Sequence, residues 1–189
     1  MSFFRWLETD KGDPRCRALA DRHYTRQHVG HPMWTRPGYS QVLFCEQRSG
    51  RSAVFVWWRP CFELGVPFAM RKDGLFAIEC TIFRNETRFR SSDMIVDALR
   101  CLGSWKHYRD VALRDGIITA VSSEKTATGR SALSPAGHCF RAAGFSPFEH
   151  RTSKRADLWL RFLGEMPEAR VPEKTERLRP RRSYLLFGA

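Results

Sequence analysis

The stretch "AGHCFRAAGF", residues 136–145, says most about how this chain folds. It has the composition of a short helix, and Gly144 suits the left-handed position that ends many helices. Phe145 follows at once, and the apolar run "ADLWLRF", residues 156–162, has the pattern of a buried strand. The order helix, glycine, aromatic residue, strand predicts the closing part of a packed core.

Upstream of this stretch, the sequence predicts a strand, a helix and a second strand. The run "LFAIECTIFRNE", residues 75–86, is apolar and β-rich, as expected for a central strand. Apolar residues at helical spacing follow, with Ser92 as a candidate N-cap. "GIITAVSSEK", residues 116–125, then predicts another buried strand. Such a unit forms a right-handed crossover, so we expect the two strands to lie parallel in one sheet.

The N-terminal half predicts a helix and a hairpin. In "DPRCRALADRHYTR", residues 13–26, Asp13 can cap a helix and Pro14 suits its first turn. His23 would share the apolar face of that helix. "SQVLFCEQRSGRSAVFVWWRP", residues 40–60, predicts two strands joined by a Ser-Gly turn.

These elements predict an α/β fold with one central mixed sheet flanked by helices. We expect a single domain over residues 1–163, followed by a basic, proline-rich tail over residues 164–189. No apolar run approaches the roughly 20 residues of a membrane span, and no signal peptide is recognisable. We therefore expect a soluble cytoplasmic protein with no membrane partner. The six cysteines lack CxxC spacing, which argues against a zinc site or a disulfide framework.

The formal net charge of +12 is the strongest compositional feature. A charge of this size favours a polyanionic partner such as nucleic acid. The alternative is a solvated basic surface with no such partner.

The order of these elements, together with "LFAIECTIFRNETRFRSSDMIVDALRCLG" and "GHCFRAAGF", resembles the GNAT family of N-acetyltransferases over residues 75–162. The resemblance implies a single GNAT-like domain that takes acetyl-CoA or another acyl-CoA as donor. Backbone amides of the central strand would polarise the donor carbonyl, and a helix N-terminus would hold its phosphates. The donor-binding residues implied are Ile82, Phe83, Arg88, Arg90, Ser91 and Ser92.

Two positions depart from the family pattern. The phosphate turn "RFRSSD", residues 88–93, contains none of the glycines that this turn usually has. Phe140 stands where many family members carry a tyrosine that protonates the departing thiolate, so Tyr24 is a candidate replacement acid. A narrower resemblance, carried by "DRHYTR" and "CTIFRNE", is to phage Mom-like DNA-modification proteins. It implies that the acceptor is a nucleobase amine in DNA.

The candidate catalytic residues are His23, Tyr24, Glu79 and Ser123. A neutral imidazole can take a proton near pH 7, so His23 is either a base or a core histidine with one hydrogen-bond partner. Alternation puts Glu79 on one face of its strand with Thr81. It either pairs with a core arginine or acts as a base of raised pKa. Ser123 ends a buried strand, where it is either a ligand contact or a polar strand end.

Nucleic-acid contacts are predicted from basic and aromatic residues near the same strand ends. Trp34, Trp57 and Trp58 could stack on a base or lie in the core. Arg84, Asn85, Arg88 and Arg90 form either a phosphate cradle or a solvated loop. The residues assigned to nucleic acid are Arg26, Trp34, Arg84 and Asn85.

Three histidines, His23, His28 and His31, are spaced as in a loose metal cluster. No second shell is recognisable around them, so no metal site is predicted.

The sequence thus predicts a GNAT-like transferase that modifies a nucleobase amine in DNA with an acyl-CoA-derived group. Two alternatives stay open. One is a small-molecule or protein N-acetyltransferase, and the other is a non-catalytic nucleic-acid-binding protein on the same scaffold.

Overall fold

A computed structural model of the chain describes residues 4–26, 28–60, 71–109, 114–126, 135–150 and 157–175. The strands and helices in chain order are β1 (Leu7–Thr9), α1 (Pro14–Asp21), β2 (Tyr39–Glu46), β3 (Ser52–Arg59), β4 (Ile78–Asn85), α2 (Ser91–Ser104), α3 (Lys106–Arg109), β5 (Ile117–Ser122), α4 (Ser123–Thr126), α5 (His138–Ala142), β6 (Ser146–Pro147), β7 (Asp157–Phe162) and β8 (Glu173–Lys174).

The strands form one mixed sheet in the order β6-β7-β5-β4-β3-β2-β1-β8. β4 and β5 are parallel and are joined through α2, while β2, β3 and β4 pair antiparallel. The predicted α/β fold with one central mixed sheet is therefore confirmed. The predicted hairpin is confirmed too, with Tyr39 opposite Arg59 and Glu46 opposite Ser52.

Both faces of the sheet are covered. On one face, α2 and α5 pack over a core that includes Phe55, Trp57 and Leu99. On the other face, α1 packs over a smaller core that includes Val54, Val56 and Trp34. The alternation of β3 between these two cores follows from the period of two that every strand has.

The stretch that closes the core folds as predicted. α5 ends at Ala142, and Gly144 takes a φ of +95°, which glycine adopts without a Cβ penalty. The Phe145 amide donates to the Phe140 carbonyl at 3.0 Å. The Phe145 ring is buried against the rings of Phe140 and Phe162.

Two helix boundaries differ from the prediction. Asp13 does cap α1, accepting from the Arg15 amide at 2.9 Å, but α1 ends at Asp21. His23 therefore lies in the turn after the helix rather than on its apolar face. α2 begins two residues earlier than predicted, because the N-cap is Arg90 and Ser92 is already a buried helical residue.

The segment that follows β7 packs against the domain through Arg170 and residues 173–175, although the sequence predicts a tail from residue 164. Arg170 pairs with Asp97 of α2, its guanidinium donating at 3.1 Å, and β8 pairs in parallel with β1. Thr175 is buried, and its amide donates to the Glu8 carbonyl. The rest of the predicted tail, residues 176–189, lies outside the described residues. Among the described helices, none has the length and apolar character that crossing a membrane requires.

Candidate functional site

β4 and β5 separate halfway along their length. Their parallel pairing runs from Ile78 opposite Ile117 to Cys80 opposite Thr119 and stops there. Beyond that point β4 stays paired with β3, and β5 stays paired with β7. The sheet therefore opens between the carboxyl halves of two parallel strands, where ligands bind in many α/β proteins.

A β-bulge at Thr81 lies where the strands part. Trp57 is opposite Cys80 and Val56 is opposite Ile82, so Thr81 is the extra residue. The bulge puts Ile82 in the core on the α1 side and Phe83 against the core on the α2 side. The bulge interrupts the period of two on which the predicted shared face of Glu79 and Thr81 depends.

Two cavities meet at this opening. The first, about 390 Å³, lies among β4, β5, α5 and the N-terminus of α2. The second, about 570 Å³, lies between β4, β5 and the segment from Tyr24 to Arg36. Four residues line both cavities, namely Tyr24, Cys80, Thr81 and Ala120. A molecule in one cavity would thus be within reach of a molecule in the other.

The N-terminus of α2 opens into the first cavity. No side chain caps this 14-residue helix, and Ser91 and Ser92 line the cavity with Arg90. Uncapped N–H groups and the positive end of the helix dipole favour an anion here. Arg88 and Arg90 are exposed, and within the described part of the chain no carboxylate pairs with either guanidinium.

Asn85 builds the turn that leads into α2. Its side-chain amide donates to the Phe89 carbonyl at 2.9 Å and to Ser91 Oγ at 3.0 Å. Its carbonyl oxygen accepts from the Thr87 amide at 2.9 Å. Internal hydrogen bonds thus take the place of the glycines that the resemblance leads one to expect in this turn.

His23 is buried at the wall of the first cavity. Burial, with the nearby charge of Arg84, lowers its pKa to about 4. Its Nδ1 accepts from the Thr25 amide at 3.3 Å, so Nε2 carries the proton in the neutral ring. A neutral imidazole in this state is a weak base at pH 7. This low pKa makes His23 a poor acceptor for a substrate proton, which argues against the predicted role of base.

Tyr24 is half-buried and lines both cavities. Its ring stacks on the His23 ring with the centroids 4.3 Å apart. The predicted replacement acid thus lies where the cavities meet. Phe140, in contrast, is buried in the core and lines only the first of the two cavities. Its ring is edge-on to that of Phe83, with the centroids 6.1 Å apart.

Glu79 is a buried ion-pair partner. One of its carboxylate oxygens accepts from the guanidinium of Arg36 at 2.6 Å and from that of buried Arg71. Arg71 also binds Asp73, which in turn contacts His150. Of the two predictions for Glu79, the structure bears out pairing with an arginine, and its carboxylate is not free to take a proton from substrate.

Ser123 lies beside the site but not in it. It is the exposed first residue of α4 and is absent from the described linings of both cavities. Its neighbours Ser122 and Glu124 line the second cavity. The sequence therefore predicts the end of the strand correctly, but the residues that line the cavity there are Ser122 and Glu124 rather than Ser123.

The four residues predicted to bind nucleic acid all have partners inside the chain. Arg26 pairs with Asp21, and Arg84 pairs with Glu86 and donates to the Arg22 carbonyl. Asn85 holds the turn before α2, as described above. Trp34 is buried and its indole N–H donates to the Lys11 carbonyl at 2.6 Å; Trp57 and Trp58 are buried as well.

The three histidines of the loose cluster do not share one wall. His23 lines the first cavity, whereas His28 and His31 line the second. Within the residues that the structure describes, no three His, Cys, Asp or Glu side chains are grouped as a metal ion requires.

The sequence does not indicate that two threonines, Thr81 and Thr119, lie at the opening between β4 and β5. Thr81 is the bulged residue, and its hydroxyl is buried with no partner among the described residues. Thr119 is buried, and its hydroxyl donates to the Cys80 carbonyl at 3.1 Å. Cys80 and Thr119 form the last residue pair between β4 and β5 before the strands separate. A threonine within a β-rich run looks like any other strand residue, so the sequence carries no signal for either.

Comparisons with protein-family models, with curated proteins and with solved structures find no match to this chain.

Proposed function

We propose that this chain is a GNAT-like N-acyltransferase that moves an acyl group from an acyl-CoA to an amine, with a nucleobase amine in DNA as the acceptor. The observation that carries the proposal is the opening between β4 and β5, where two cavities share the wall formed by Tyr24, Cys80, Thr81 and Ala120. A donor in one cavity and an acceptor in the other would meet there.

The first cavity suits the donor. Arg88, Arg90 and the uncapped N-terminus of α2 supply positive charge and N–H groups for the phosphates of CoA. Apolar residues such as Phe83 and Phe140 suit the pantetheine chain. Beyond Cys80, the edge of β4 is not paired with β5, so its main-chain amides can polarise the thioester carbonyl.

The second cavity suits the acceptor. The proposed transfer does not require a strong base, because every proton is accounted for by Tyr24 and water. A nucleobase amine is neutral at pH 7 and can attack the thioester carbonyl directly. The C–N bond forms as the C–S bond breaks, and Tyr24 gives its phenolic proton to the departing thiolate. The proton lost from the amine returns to Tyr24 through water, which leaves amide and CoA thiol. His23 holds the Tyr24 ring in place by stacking.

The net charge of +12 supports nucleic acid as the acceptor. The test is mass spectrometry of nucleosides from DNA incubated with the chain and acetyl-CoA, together with measurement of free CoA thiol. We expect an acetylated nucleoside and CoA release that depends on DNA. CoA release with a free amine but not with DNA would assign a small-molecule acceptor. No release with any amine would overturn the proposed function.

A further inference from the structure

The exposed loop of residues 28–33 borders the second cavity and carries two exposed apolar side chains. This 28–33 loop carries Val29, which is 75% exposed, and Met33, which is 63% exposed. A single exposed apolar residue is ordinary on a protein surface. Two large ones lie within this loop: Met33 lines the second cavity, and Val29 directly follows His28, which lines it too.

A half-buried ion pair, Arg26 with Asp21, supports the 28–33 loop. Arg26 and Asp21 pair at 2.6 Å, and the Arg26 guanidinium donates to the His31 carbonyl at 2.7 Å and to the Met33 carbonyl at 3.3 Å. Asp21 accepts from the Gly30 amide at 3.0 Å, where φ is +79°. These bonds hold the loop backbone while its apolar side chains stay in water, so covering them with a partner costs less backbone ordering.

The net charge of +12 favours a polyanion as the partner of this loop. The second cavity beside it is lined by His28, His31, Arg36 and Lys125 and also by the carboxylates of Glu79 and Glu124. The Arg36 side chain is half-exposed, although its guanidinium also pairs with Glu79. On a strongly basic chain, an exposed apolar loop has the character of elements that insert between base pairs while basic groups hold the adjoining phosphates.

We propose that the 28–33 loop inserts Val29 and Met33 into a nucleic-acid duplex and displaces a base into the second cavity. This proposal rests on the proposed function, because it assigns how the acceptor reaches the site. An enzyme that reacts with a base must first take it out of the stack, and an apolar wedge lowers the cost of doing so. The cavity volume of about 570 Å³ lies in the usual range for small-molecule pockets.

The test compares one DNA sequence as duplex and as single strand, with 2-aminopurine as a reporter of base unstacking. The variants are Val29→Ser with Met33→Ser and, as a matched control, Leu163→Ser with Val171→Ser, which are also exposed but lie outside both cavities. All four side chains are exposed, so we expect every variant to unfold at the wild-type temperature.

We expect the wild-type chain and the control to raise 2-aminopurine fluorescence in the duplex. The loop variant should lose this signal and bind the duplex about tenfold more weakly, while its affinity for the single strand stays within about twofold. Wild-type behaviour of the loop variant on the duplex would overturn the proposal.

The proposed function fails separately from the loop. If the wild-type chain acetylates DNA without unstacking the base, the wedge is wrong and the transferase stands. If the loop variant loses unstacking while the wild type transfers no acyl group to any amine, the loop unstacks DNA but the chain is not the proposed transferase. If neither form of DNA binds, the wedge is wrong.

Discussion

The rings of His23 and Tyr24 stack with their centroids 4.3 Å apart, and this contact places Tyr24 on the wall common to both cavities. The sequence predicts His23 as a base and Tyr24 as an acid. In the transfer proposed above, Tyr24 meets the reacting groups and buried His23 packs against its ring.

Tyr24→Phe removes the hydroxyl and keeps the ring stack. We expect the rate of acyl transfer to fall by roughly 10²-fold, because that is the lower range for losing a general acid. Binding of acetyl-CoA should stay unchanged, as measured by calorimetry. Tyr39→Phe is the control, since Tyr39 stacks on His107 and is outside both described linings. An unchanged transfer rate for Tyr24→Phe would exclude the tyrosine as the acid.

The depressed pKa of His23 links stability to pH. The folded value is about 4 and the ordinary value is 6.5, so the unfolded chain binds more protons between these two pH values. Stability from this residue is complete above pH 6.5 and falls as the pH is lowered towards 4, by on the order of 3 kcal/mol.

Urea unfolding at several pH values measures this dependence. His23→Gln cannot take up the proton, so its free energy of unfolding should fall less between pH 6.5 and 4 than that of the wild type. Parallel curves for the two proteins would show that His23 is not buried in its neutral form.

Arg88→Ser combined with Arg90→Ser removes two exposed guanidinium groups beside the N-terminus of α2. We expect about tenfold weaker binding of acetyl-CoA, because charge-assisted contacts to phosphate are lost. Binding of acetyl-pantetheine, which lacks the nucleotide phosphates, should not change. Arg100→Ser with Arg114→Ser removes the same charge outside the first cavity and controls for net charge. Equal losses with both donors would place the phosphates elsewhere.

Glu79→Gln leaves the buried guanidinium of Arg71 without one of its two carboxylate partners. Breaking a buried ion pair in this way costs about 3 kcal/mol, so we expect the unfolding midpoint in urea to drop. Transfer should persist at temperatures where the variant is folded. A variant of wild-type stability that has lost transfer would return Glu79 to the role of catalytic base.

Sequence patterns were sufficient for the five longer strands and for the mixed sheet, whereas the short strands β1, β6 and β8 were not predicted. The turn around Gly144, the Asp13 cap and the hairpin all depend on interactions between near neighbours, which local sequence records. The two cavities depend on where β4 and β5 stop pairing, and the bulge at Thr81 lies at that point. A bulge leaves no mark in the period of two that a strand sequence shows, so periodicity alone did not locate the opening.

Polar side chains were harder to assign, because residue type does not reveal the partner. Arg26, Arg84 and Asn85 have the chemistry of nucleic-acid contacts, yet each holds a turn or a loop of its own chain. Glu79 has the chemistry of a base, yet its partner Arg36 lies 43 residues away. The sequence does not single out Met33, because only the structure shows that this exposed side chain lines a cavity.

The central claim is that the opening between β4 and β5 holds an acyl-CoA, and amide hydrogen exchange with and without acetyl-CoA tests it most directly. We predict that acetyl-CoA slows exchange at the N-terminus of α2, residues 91–93, and at residues 81–83 of β4. The hairpin turn at residues 47–51 should exchange unchanged. Slowed exchange at neither 91–93 nor 81–83, under saturating acetyl-CoA, would contradict the account.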